Sequence, residues 1–165
     1  MDIAGIDAAL GRKGSADGGI YKFTVTRKQT IAAGDHVLPA GLGLTTSISF
    51  QPVGAGKAAI NGDFALTGEE INPVIAALRK GGIAIVEVHN HSLDEQPRLF
   101  YLHFWAVDDA VTLVKALRLA LDATNVKPPA DISAHHRTAA SPTSAPTPAV
   151  ELLAWWILGS TETTR

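Results

Sequence analysis

Three of the six histidines fall within fifteen residues, in Val88-His89-Asn90-His91 and in Pro97-Arg98-Leu99-Phe100-Tyr101-Leu102-His103. Both segments read as β-strand, where residues i and i+2 share a face, so His89 and His91 are expected to point the same way. An antiparallel return of the chain brings His103 back to that neighbourhood. Three imidazoles converging from two paired strands form a metal-site geometry, or, without an ion, a polar ligand pocket. Three such ligands with an open fourth position would polarise water or a carbonyl, as catalytic zinc does. Glu87 shares the face of His89, and Tyr101 and Trp105 share the parity of His103, so these three are candidate lining residues. Asp94 and Glu95 could accept from the imidazoles. Arg98 follows Pro97, which restrains its backbone, and a fixed guanidinium suits a carboxylate or phosphate. Its competing role is an ion pair with Asp94 or Glu95.

Other polar residues are weaker candidates. Asp63, Glu70 and Asn72 cluster at a strand-to-helix junction, where Glu70 is expected to cap the helix and Asp63 to serve a turn or a neighbouring ligand. His36 sits in a Gly/Pro-containing loop and His135-His136 in the tail, and all three are expected to be solvated. Gly54-Ala55-Gly56-Lys57 is not a phosphate-binding loop, because Gln51 stands where the first glycine belongs and Ala58 replaces the Ser or Thr. The letters His-Asn-His do not make a nuclease. His89-x-His91-x3-Glu95 echoes the cupin metal motif, but the surrounding glycines are out of register.

The elements that must position these groups follow from periodicity. Residues 2–10 form a short helix ended by Gly11. Alternation predicts strands at 20–26, 44–50, 58–66, 83–91 and 98–105, with a hairpin turn at 52–56 and an irregular excursion at 28–41. Thr67-Gly68-Glu69-Glu70 resembles a capping box opening a helix that Gly81-Gly82 end, with Pro73 tolerable only near the first turn. A last helix begins at Asp108-Asp109 and carries the stripe Ala110, Leu113, Val114, Leu117 and Leu121. This order predicts an α+β fold: a mainly antiparallel sheet of about five strands, two principal helices on one face, and a Pro/Ser/Thr-rich C-terminal tail. The expected domain is 1–126. Residues 127–165 are then a low-complexity linker with a short apolar segment at 150–158, expected to pack on the domain or a neighbour.

Composition narrows the function classes. A net charge of −2 with no Lys/Arg run longer than two argues against nucleic acid as a partner. There is no cysteine, so any metal must take imidazole and carboxylate ligands. No apolar run approaches the roughly 20 residues of a membrane span, and Met1-Asp2-Ile3-Ala4 does not read as a signal peptide. The chain is therefore expected to be soluble, with its location undetermined.

Several strings, taken in order, carry a resemblance: Gly19-Ile20-Tyr21-Lys22-Phe23, Ile48-Ser49-Phe50-Gln51-Pro52, Asn61-Gly62-Asp63-Phe64-Ala65-Leu66-Thr67, Glu70-Ile71-Asn72-Pro73-Val74, His89-Asn90-His91, and Pro97 through Ala106. Over about residues 2–126 the chain resembles the LppY/LpqO-type family of bacterial domains of unknown function. That resemblance implies a domain often exported or lipid-anchored, and this chain is similar to the second of two tandem copies. A lone copy implies a homodimer. The expected function is a metal-ion-binding domain with a histidine-rich pocket. His89, His91 and His103 would hold a divalent ion, zinc among the candidates, and Arg98 a small anionic ligand, with or without hydrolysis. The alternative is a metal-free ligand-binding or dimerising interaction domain.

Overall fold

The computed structural model describes residues 1–129. The Pro/Ser/Thr-rich segment, the apolar stretch at 150–158 and His135-His136 lie outside the described residues. Helix α1 (Ile3–Leu10) is followed by strands β1 (Ser15–Asp17), β2 (Ile20–Thr26), β3 (Ile31–Ala33), β4 (His36–Leu38), β5 (Thr45–Gly54) and β6 (Lys57–Leu66). Then come α2 (Gly68–Lys80), β7 (Ala84–His89), β8 (Phe100–Asp109) and α3 (Ala110–Asp122). Every pairing is antiparallel, and six strands form one sheet in the order β1-β2-β5-β6-β8-β7. The α+β expectation holds, with one short strand more than the five expected. The 28–41 excursion is a second, two-stranded ribbon of β3 and β4.

Alternation divides the sheet into two unlike faces. Phe23, Val25, Ile48, Phe50, Ile60, Phe64, Leu102 and Phe104 point to one side and join Ile6, Leu10, Val74, Leu78, Leu113, Val114 and Leu117 of the three helices in a single core. Each fully buried side chain of this kind is worth roughly 1.5–3 kcal/mol, so this layer holds the fold. Among the described residues the opposite face carries no α-helix. Register sets its side chains in lateral rows: Lys22, Ser49, Asn61, Trp105 and Ala84; then Thr24, Ser47, Asp63, His103 and Glu87. A third row runs Ala65, Tyr101 and His89.

Some boundaries depart from the sequence reading. The strand expected to reach residue 91 ends at His89, and a bulge interrupts its register between Ile85 and Glu87. β8 runs on to Asp109, so only Asp109 caps α3, accepting from the Thr112 N–H at 2.8 Å. Pro73 is the sixth residue of α2, not the first turn, and it leaves the Glu69 carbonyl without its helical donor. The turn joining β5 to β6 is two residues, Ala55 and Gly56, both with positive φ, as a tight hairpin requires.

Candidate metal centre

His103 stands at mid-strand in β8, directly between Asp63 of β6 and Glu87 of β7. Its Nδ1 lies 3.2 Å from the Gly62 carbonyl oxygen. A proton on Nδ1 donates in that contact and leaves the Nε2 lone pair facing outward. Gly62 is required here for packing. A Cβ at that position would sit 2.0 Å from the Ser47 carbonyl oxygen and 2.9 Å from the Phe104 ring.

The edge strand β7 brings two more groups. Glu87 is exposed and pairs across from His103, while His89 is half-buried, with its ring stacked on that of His103 at 5.0 Å between centroids and an interplanar angle of 3°. One nitrogen from each of His89 and His103 and a Glu87 carboxylate oxygen lie within 4.8 Å of one another. In this ring orientation His89 Nδ1 addresses Glu87 Oε1 at 3.4 Å, buried and without a hydrogen-bond partner among the described residues. Its Nε2 addresses His91 Nε2 at 3.1 Å.

His91 has therefore come close to His89, but from beyond the strand end and on the other ring nitrogen. A single lone pair of His89 cannot serve both directions. The three expected imidazoles are neighbours in a chain, with Glu87 and His103 gathered on one flank of His89 and His91 on the other. His91 is held by stacking on Tyr101, with centroids 3.4 Å apart and planes 9° from parallel.

Tyr101 belongs to a small second core with Ile31, Leu44, Ala65 and Leu99. Paired N–H···O bonds between Ala32 and Gln96, at 2.9 and 2.7 Å, tie the ribbon to the loop before β8 above it. Burial, followed by the nearby charges of Glu95 and Asp63, pushes the Tyr101 hydroxyl up to about 12. That hydroxyl, Asp63 Oδ1 and Glu95 Oε2 are all buried without hydrogen-bond partners among the described residues. Glu95, expected as an acceptor for the imidazoles, instead accepts from the Leu99 N–H at 3.1 Å and lies 3.5 Å from Arg98. Arg98 also donates to the Leu93 carbonyl, so its charge is engaged within its own loop. Trp105 shares the parity of His103 but lies one row further along the sheet, 46% exposed, beside Asn61 and Ala84. His36 is exposed in β4.

Glu70 caps α2 as expected, accepting from the Thr67 N–H at 2.8 Å, and does more. It receives both terminal nitrogens of buried Arg27, at 2.7 and 3.0 Å, and the Asn125 N–H at 2.7 Å. Burial alone would push its carboxyl up, but the bonds from Arg27, Thr67 and Asn125 outweigh it and hold the carboxyl below the usual range. The arginine is invisible to motif reading, since nothing near Arg27 in the sequence marks it as the partner of a residue 43 positions away.

Residues 4–123 match the family model described as Domain of Unknown Function (DUF1259). The chain belongs to that family. No curated protein and no solved structure matches it. No helix among the described residues is long and apolar enough to cross a membrane.

Proposed function

We propose that the α-helix-free face of this domain binds a divalent metal ion at the β7–β8 edge, through His89 Nδ1, His103 Nε2 and the carboxylate of Glu87. The observation that carries this reading is the partnering of the two histidines. Each has its other nitrogen in hydrogen-bond contact, His103 with the Gly62 carbonyl and His89 with His91. Ligating histidines almost always donate their second ring N–H to a carboxylate, backbone carbonyl or water, as His103 does, which fixes the tautomer; for His89 an imidazole takes that place. His91 is then a positioning residue rather than a ligand, and Tyr101 is the plate on which it rests.

The 4.8 Å limit on the separations exceeds the roughly 3.3 Å edge that bonds of 2.0–2.1 Å give a tetrahedral site. His89 Nδ1 and Glu87 Oε1 already stand 3.4 Å apart, so closure requires the His103 ring, now parallel to that of His89, to tilt toward them. Two imidazoles and a carboxylate suit zinc, and three protein ligands leave a position open. When bound there, the ion would supply a Lewis acid for polarising water or a carbonyl. Asp63, beside His103 in the same row, is the carboxylate placed to hold a proton near that position.

A metal-free reading has one observation in its favour: 3.1 Å between the two Nε2 atoms is also an ordinary hydrogen-bond length. Equilibrium dialysis against zinc separates the two. The metal reading expects one ion per chain, loss of at least a hundredfold in affinity in His89→Ala and His103→Ala, and a loss of roughly 10–100-fold in His91→Ala. Zinc retention equal to wild type in both His89→Ala and His103→Ala would leave the pocket as a metal-free one. Within the family, we take the finer assignment to be the LppY/LpqO type, resting on the ordered strings of residues 19–106. An envelope location and a homodimer would follow from that assignment. Light scattering at micromolar concentration tests the dimer.

A further inference from the structure

On the far side of the sheet from β7, a cavity of about 190 Å³ opens where the end of β2 meets the β3–β4 ribbon and the chain after α3. It is lined by two kinds of surface. One part consists of Arg27, Lys28 and Lys127 with Thr26, Gln29 and Thr30, and it contains no carboxylate among the described residues. The other part is aliphatic, formed by Ile31, Val37, Leu38 and Leu44 among others.

Two features mark this site. Backbone bonds from the Lys28 N–H to the Asn125 carbonyl (2.9 Å) and from the Lys127 N–H to the Thr26 carbonyl (2.8 Å) clamp the two lysines to one rim. Arg27 is 2% exposed, and its Nε is buried with no hydrogen-bond partner among the described residues. Its terminal nitrogens are already committed to Glu70, Gln29 and the Ala65 carbonyl. Arg27 is thus neutralised by Glu70, whereas neither Lys28 nor Lys127 has a carboxylate within 4 Å among the described residues.

We propose that this cavity binds a small carboxylate with a short aliphatic body, its carboxylate toward Lys28 and Lys127 and its chain against Ile31, Leu38 and Leu44. The volume matches about six waters at roughly 30 Å³ each, room for a carboxylate of roughly four to six carbons. The site is separate in residues from the metal centre and does not depend on it.

Calorimetric titration of the full chain with hexanoate, hexanol and inorganic phosphate tests this. Hexanoate should bind at one site per chain, at least tenfold more tightly than hexanol or phosphate. Lys28→Glu/Lys127→Glu should weaken hexanoate at least tenfold, and Leu44→Ser should weaken it while leaving phosphate unchanged. The two lysines lie on the surface, and an unchanged circular dichroism spectrum and melting midpoint would show that the double variant folds. Absence of hexanoate binding, phosphate binding as tightly as hexanoate, or equal hexanoate affinity in the folded double variant would each overturn the proposal. Zinc saturation should leave the hexanoate affinity unchanged.

Discussion

At the level of single residues, Glu70 has the most consequential chemistry outside the metal centre. It joins the start of α2, the end of β2 and the chain leaving α3 through one carboxylate. Replacing it with glutamine removes one member of a buried pair and leaves Arg27 uncompensated, so Glu70→Gln should cost about 3 kcal/mol in chemical denaturation at pH 7. Because the folded carboxyl is held below its unfolded value of about 4.3, its contribution is present above that pH and disappears as pH falls through the folded value. The gap between wild type and Glu70→Gln should accordingly narrow from pH 6 to pH 3, and a gap that widens would refute the assignment. Tyr101 behaves oppositely. Its folded value of about 12 lies above the unfolded value of about 10, so its contribution is intact below pH 10 and is lost as pH rises toward 12. Tyr101→Phe should flatten the alkaline arm of the stability curve measured by urea titration. The capping role of Glu70 was legible from its spacing to Thr67, and the closeness of His89 to His91 from theirs. What spacing could not disclose was ring orientation, which decides that Glu87 and not His91 shares a flank with His103. That depends on the Gly62 carbonyl, contributed by a different strand.

Elements carry the site through register. The β6–β8 ladder pairs ten residues without interruption, and it is this pairing that sets Asp63 beside His103 and Gly62 behind its ring. Gly62→Ala puts a methyl group into the Ser47 carbonyl of β5. It should cost at least 2 kcal/mol in urea denaturation and weaken zinc binding as well, because the strands must part where His103 is anchored. Stability within 0.5 kcal/mol of wild type would show that the strand contact yields easily. On the other face, Phe104 is fully buried among the helices, and Phe104→Ala should cost about 3–5 kcal/mol. Strand existence was readable from alternation, and the antiparallel return of β8 along β7 follows from the short loop between them. The ends of the strands were not. His91 keeps the i+2 spacing but lies outside the ladder, and the β3–β4 ribbon lacks the alternation of a longer strand because each of its strands has only three residues.

For the molecule as a whole, the division of labour between the two sheet faces is the main lesson. One face and three helices supply the core, and the other, covered at one end by the β3–β4 ribbon, presents Ser, Thr, Asn, Asp and His side chains in rows. The core residues run from Ile6 to Leu121, within the family match of 4–123. A chain ending at residue 129 should therefore fold alone and unfold in one cooperative transition, with a melting midpoint within a few degrees of the full chain. The α+β class and the helix-bearing face were readable because apolar periodicity is a property of each segment by itself. The lining of the Arg27 cavity was not, because it assembles residues 26–44 with residue 127. The central claim is that His89 and His103 aim free lone pairs at one ion. Long-range proton–nitrogen correlation of the imidazole rings during a zinc titration reads it most directly. The account predicts that His89 Nδ1 and His103 Nε2 shift together at one equivalent of zinc, while His103 Nδ1 keeps its proton and His36 is unmoved. Zinc-induced shifts confined to His36, His135 or His136, with His89 and His103 unchanged, would contradict it.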